Sequence, residues 1–161
     1  MNNMENLLKI HYNVFNDWDL LQQFLERRGN PRYELVGDVD LNGKKNIYSL
    51  GNLFQISGNL ILSETSITTL GYLNRVYGNL FIYDTPIDSL GSLNKVDGNL
   101  YLVGTRIKSL SNLKYVGGDL SLVESPIKSI GNLEYVGGEF WLSKNHQLPE
   151  NLLYNFKIVT I

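Results

Sequence analysis

A β-rich solenoid is the fold class that this sequence predicts, and three observations carry the prediction. The triplets Gly51-Asn52-Leu53, Gly71-Tyr72-Leu73, Gly91-Ser92-Leu93, Ser111-Asn112-Leu113 and Gly131-Asn132-Leu133 recur at a spacing of twenty with no slip. Further columns hold the same register: Ile56, Val76, Val96, Val116, Val136; Gly58, Gly78, Gly98, Gly118, Gly138; Leu60, Leu80, Leu100, Leu120, Phe140; and Leu62, Ile82, Leu102, Leu122, Leu142. Each coil supplies about six apolar side chains, too few to enclose a core alone, so neighbouring coils must stack to seal one interior.

From the N-terminus, residues 1–15 support two readings. Ile10, Tyr12 and Val14 alternate as in a strand, while Met4, Leu7, Leu8 and His11 fit a helical face. A helix follows at 17–28: Asn16 is a good N-cap, Asp17 and Asp19 suit the first turn, Arg27 and Arg28 the last, and Gly29 and Pro31 stop it. Its apolar face, Trp18, Leu21 and Leu25, is expected to cover the open first coil. Residues 36–50 read as an imperfect coil, in which Val39 and Leu41 match the strand pair and one extra residue within 42–46 restores phase at Ile47 and Leu50. At the far end Leu153 and Phe156 stay in register with Leu133 and Val136, and 157–161 is a capping strand. The expected division is thus an N-terminal segment and capping helix (1–35), a solenoid of one imperfect and five regular coils (36–150) and a C-terminal cap (151–161), all in one structural domain.

Within a coil, Gly-x-Leu-x-Leu is a short strand with two inward residues, and stacked strands make a parallel sheet. The other apolar residues lie three apart (Leu53 and Ile56; Ile67 and Leu70), which suits tight bends. Thr65, Thr85, Thr105, Ser125 and Asn145 form a polar column expected to bond buried backbone groups. The Gly58 column is expected either to adopt positive φ or to allow close contact between coils.

The run Leu60-Ile61-Leu62-Ser63-Glu64-Thr65-Ser66-Ile67, repeated in the next three coils, resembles the core motif of the leucine-rich repeat family. The preceding apolar position departs from the common pattern, having moved to 56, 76, 96, 116 and 136. That variant is similar to short repeats of bacterial and phage proteins and to the coils of receptor L domains. The resemblance covers roughly residues 36–156, and it implies a right-handed coil with one parallel sheet and a binding role without a particular ligand.

Composition narrows the function classes. Fourteen Lys and Arg against sixteen Asp and Glu leave a charge of -2, so no positive field holds nucleic acid or an anionic membrane. With no cysteine, disulfides, Cys-type zinc sites and thiol catalysis are excluded. No apolar run approaches a membrane span and no signal-peptide pattern opens the chain, so a cytoplasmic location is expected, that of the host if the chain is phage-encoded. His11 and His146 lie near opposite ends, no triad or phosphate loop can be assembled, and the acidic columns lack a calcium pattern. We therefore expect no enzyme, no cofactor and no metal site.

The residues between the strand leucines point outward, placing Ile61, Phe81, Tyr101, Ser121 and Trp141 in one row. Ser63, Tyr83, Val103, Val123 and Ser143 form a second row, and Asn59, Asn79, Asn99, Asp119 and Glu139 a third. From these, Ile61, Phe81, Tyr83, Tyr101, Val103, Asp119, Val123, Glu139 and Trp141 are the candidate partner-binding residues, since a contiguous apolar patch with Tyr and Trp marks an interface. Glu64, Asp84 and Glu124 on the same side suggest a partner with a basic patch. Arg75, Lys95, Lys108, Lys114 and Lys128 read as solvated surface. The expected function is a non-enzymatic interaction module, monomeric when unbound, that masks or inhibits one protein partner, in keeping with a phage or mobile-element antagonist. Carbohydrate recognition, with the aromatics stacking on sugars and the Asn column bonding hydroxyls, is the alternative, followed by a purely structural role.

Overall fold

Stacking the twenty-residue coils produces a β-solenoid with two seven-stranded parallel sheets. The computed structural model describes residues 7–161. The first sheet contains, in spatial order, Leu8–His11, Tyr33–Val36, Leu53–Ile56, Arg75–Val76, Lys95–Val96, Tyr115–Val116 and Tyr135–Val136. The second contains Val39–Asp40, Leu60–Ile61, Leu80–Phe81, Leu100–Tyr101, Leu120–Ser121, Glu139–Leu142 and Lys157–Thr160. Register follows the repeat, with Leu60 opposite Leu80, Leu80 opposite Leu100 and Leu100 opposite Leu120.

The sequence predicts the second of these sheets and reads the first as bends. The reason is strand length: Arg75–Val76 and its equivalents are two residues long, so only the valine points inward and no alternation shows. The third side of each coil is held more sparsely, by bridges between Thr69 and Ser89 and between Ser109 and Ser129. The column residues Leu53, Ile56, Leu60, Leu62, Ile67 and Leu70, with their equivalents, fill one continuous core.

The corner between the sheets is built by Gly58-Asn59 and its repeats. The glycines do not have positive φ; they permit close contact instead, since a Cβ on Gly78 or Gly98 would stand 2.7 Å from the carbonyl oxygen of the glycine one coil earlier. Positive φ falls at Gly51, Gly71, Gly91, Ser111 and Gly131, and at Glu64, Asp84, Gly104 and Glu124, where the chain leaves the second sheet. The Thr column faces inward up to Ser125, whereas its last member, Asn145, is exposed. Thr65 Oγ1 donates to the Leu62 carbonyl (2.7 Å), Thr105 Oγ1 donates to that of Leu102 (3.1 Å), and Ser125 Oγ reaches back to Leu102 O in the previous coil (2.5 Å). Thr85 Oγ1 is buried without a partner.

The caps follow the sequence with small shifts. The helix spans Trp18–Glu26, and its N-cap is Asp17, whose carboxylate accepts from the Leu20 N–H at 2.9 Å. Asn16 instead closes the short helix Tyr12–Phe15 in a left-handed conformation. The N-terminal segment divides into a strand at Leu8–His11 and a helix at Tyr12–Phe15, and neither pattern read from the sequence holds as a whole: Leu8 and His11 of the helical face lie in the strand, Tyr12 and Val14 of the alternating set lie in the helix, and Met4 lies outside the described residues. Trp18, Leu21 and Leu25 are buried over the first coil. Fully buried Tyr33 ties the two together, donating from its hydroxyl to Leu50 O (2.8 Å) and accepting from Gln22 Nε2 (3.2 Å). At the other end a 3-10 turn at Glu150–Leu152 precedes Lys157–Thr160, which pairs parallel to Glu139–Leu142 and closes the second sheet. Among the described residues no helix is long and apolar enough to cross a membrane.

Two predictions follow from the coil contacts. Gly98→Ala, whose methyl meets the preceding backbone, is expected to cost ~2 kcal/mol or more, against ~1 kcal/mol for Gly71→Ala, where only the positive φ opposes a side chain. Thr65→Val is expected to cost ~1 kcal/mol, whereas Thr85→Val, which removes an unpartnered hydroxyl, is neutral or stabilising. Urea unfolding of the four variants measures both contrasts.

Candidate partner-binding face

On the second sheet the inward leucines leave the intervening side chains on the outer surface, where parallel pairing aligns them. Ile61, Phe81, Tyr101 and Trp141 are half-buried there, as are Tyr83, Val103 and Val123 in the second row. The rings of Phe81 and Tyr101 stack at 5.5 Å between centroids, only 6° from parallel. Tyr83 stacks on both, at 6.4 Å from Phe81 and 6.2 Å from Tyr101. The three rings form a plateau whose mutual contacts lie in the favourable range for offset stacking. Burial pushes the Tyr83 and Tyr101 hydroxyls above their ordinary range, reinforced at Tyr83 by Tyr101 and at Tyr101 by the charge of Asp119.

The third row is not the free rim that the sequence suggests. Asn59 Oδ1 accepts from the Asn79 N–H at 2.8 Å, Asn79 Oδ1 from that of Asn99 at 2.7 Å, Asn99 Oδ1 from that of Asp119 at 2.7 Å, and Asp119 Oδ1 from that of Glu139 at 2.8 Å. Asp38 begins the same ladder at Asn59, at 2.7 Å. These oxygens satisfy backbone groups and are not available to sugar hydroxyls. Glu139, a predicted partner-binding residue, is instead engaged by Lys157 Nζ at 2.6 Å, so the terminal strand neutralises it. Asp119 keeps one carboxylate oxygen outside the ladder.

Beyond Tyr101 the aromatic row breaks. Ser121, only 5% exposed, lies between Tyr101 and Trp141, and no ring contact joins those two among the described residues. Here the surface forms a cavity of about 370 Å³ lined by Tyr101, Val103, Asp119, Ser121, Val123, Trp141 and Ile161. Ser121 and Ile161 are the residues that sequence reasoning missed; the signal was the single small residue in an otherwise bulky row.

No family model, curated protein or solved structure matches this chain. The site therefore rests on its own geometry.

The remaining candidates are dispersed. Glu64, Asp84 and Glu124 are exposed at left-handed turns along the margin of the face. Arg75 and Lys95 do not stand as free cations. Asp97 binds both, at 2.6 and 3.2 Å, while Arg75 packs over Tyr77 and Lys95 over Tyr115. With the Tyr115–Tyr135 stack at 4.8 Å, these side chains form a second aromatic surface, on the first sheet, that the sequence reading overlooked. His146 Nδ1 accepts from the Leu148 N–H, and His11 is exposed in the first strand. Among the described residues no group of His, Cys, Asp or Glu is arranged to hold a metal ion.

Partial burial works to raise the Asp97 carboxyl, but its bonds to Arg75 and Lys95 outweigh that and hold it below the usual range. A depressed carboxyl stabilises the fold above its unfolded pKa of ~3.9 and loses that contribution as pH falls through the folded value. Asp97→Asn is therefore expected to be less stable than the wild type by about 0.5–1 kcal/mol at pH 7. The gap should close progressively below pH ~4, as thermal melts across pH 2.5–7 would show.

Proposed function

We propose that this chain is a non-enzymatic protein-interaction module that binds one macromolecular partner on the outer face of its second sheet. The observation that supports it is the plateau of Phe81, Tyr83 and Tyr101, continued by Val103, Val123 and Trp141, on a surface left half-open. Rigid, pre-stacked rings lose little entropy on docking, and Tyr and Trp are favoured anchors at interfaces. The parallel β-solenoid architecture, together with the resemblance of its Leu-x-Leu coils to leucine-rich repeats, supports recognition by an extended face. Occupation of the partner's surface is the mechanism: the module masks or inhibits what it binds, in the cytoplasm. The acidic margin of Glu64, Asp84 and Glu124 favours a partner with basic character.

The test is affinity capture from lysate of the source or host cell, followed by direct binding to the purified candidate. Wild type is compared with Phe81→Ala/Tyr101→Ala/Trp141→Ala and with Val103→Lys, which removes no ring contact. We expect a 1:1 complex that each variant weakens at least tenfold while remaining folded by circular dichroism. Unchanged affinity in both would overturn the face as the binding site.

A further inference from the structure

The gap in the aromatic row has the dimensions of one missing ring. Strands of a sheet lie ~4.8 Å apart, so Tyr101 and Trp141, on either side of the Ser121 strand, are separated by roughly 9.6 Å of backbone. Phe81 shows what normally fills such a position, since its ring stacks on Tyr101 from the preceding strand at 5.5 Å. On the opposite side the next residue in the row is Ser121, and among the described residues no ring of the following coils stacks on Tyr101. The strand spacing leaves room over Ser121 for a planar group about 5 Å from the Tyr101 strand and from the Trp141 strand, a separation that suits stacking.

The walls specify the chemistry of that group. Val103, Val123 and Ile161 offer apolar surface, and Asp119 places a carboxylate in the same cavity. Asp119 donates nothing and accepts one backbone N–H through Oδ1, so an oxygen remains for a ligand donor. Lys157, whose charge also feels that of Asp119, is bonded to Glu139. A slot lined by two aromatic side chains, aliphatic walls and one carboxylate calls for a flat cation with an apolar stem. Arginine fits each requirement: its guanidinium is planar, stacks on aromatic rings, is more weakly hydrated than an ammonium and forks to a carboxylate. Its methylenes match the valines.

We propose that the slot between Tyr101 and Trp141, floored by Ser121 and charged by Asp119, receives one arginine side chain of the protein partner. This rests on the interaction-module reading and names the anchor that the face recognises.

The experiment uses a Trp18→Phe background, so that Trp141 is the one remaining tryptophan and its fluorescence reports the slot. N-acetyl-L-argininamide is titrated at constant ionic strength beside its neutral isostere N-acetyl-L-citrullinamide and the ring-bearing N-acetyl-L-tyrosinamide. We expect saturable binding of the arginine probe and roughly tenfold weaker binding of both others. Asp119→Asn, which keeps the Oδ1 acceptor that the column already uses at Asn59, Asn79 and Asn99, should lose the same factor. Ser121→Tyr should complete the row and abolish the response. No saturable binding, or an equal response to citrullinamide or tyrosinamide, or an unaltered affinity in Asp119→Asn, overturns the arginine assignment. A partner lost by the Val103→Lys variant alongside such a result would leave the interaction face standing and overturn only its anchor. Arginine binding with a partner untouched by both face variants would overturn both the face and the slot as the partner's anchor, since Tyr101, Val103 and Trp141 line the slot.

Discussion

Everything in this solenoid depends on how the chain turns the corner between its two sheets. In an extended strand, successive N–H groups point to opposite sides. At Gly78-Asn79 both point to the preceding coil: the Gly78 N–H donates to the Gly58 carbonyl at 3.2 Å and the Asn79 N–H to the Asn59 side chain at 2.8 Å. The backbone offers no second acceptor there, because the Asn59 carbonyl points to the coil before it and is itself taken by the Val39 N–H. A side-chain amide one coil earlier supplies it. An unpaired buried N–H would cost ~1–3 kcal/mol in every coil, so the amide column and the glycine that lets the coils approach are joint conditions of the fold.

That constraint also governs the surface. Once the coils are locked at one spacing, equivalent side chains must stack on one another, which turns Phe81 and Tyr101 into a parallel pair and aligns Tyr115 with Tyr135. Charge obeys the same rule on the first sheet, where Asp97 sits between Arg75 and Lys95 instead of leaving two cations adjacent. In such a lattice a regular column is self-satisfied. The columns are broken at two places: Ser121 in a row of rings, and Asp119 where the amide ladder becomes a carboxylate with an oxygen to spare.

Much of this was legible in advance, for reasons that particular residues make plain. The twenty-residue columns of Leu60, Leu62 and Ile67 identify inward positions because apolar side chains have one reason to recur at a fixed spacing in every coil. The inward Thr column follows from the same logic and is observed, apart from the unsatisfied hydroxyl of Thr85. The first sheet was hidden because a two-residue strand such as Lys95–Val96 has no period to read. The Asn column was misread because a recurring polar residue can face solvent, a ligand or its own neighbour's backbone, and spacing does not distinguish these. The Gly58 column was anticipated only as a choice between positive φ and close approach; the packing of one coil on the next selects the second.

The sequence by itself determined the solenoid class, the coil length, the inward columns and the second sheet, since each depends on which residues recur and at what interval, and the capping helix and terminal strand, which their own local patterns mark. Only the tertiary structure decided which polar side chains are spent within the molecule. Glu139 and Lys157 are far apart along the chain and meet because the last strand pairs beside Glu139–Leu142. Asp119, Ser121 and Ile161 line one cavity for the same reason. Availability of a charge or a ring face is a property of what stands next to it in space, and that is settled by stacking.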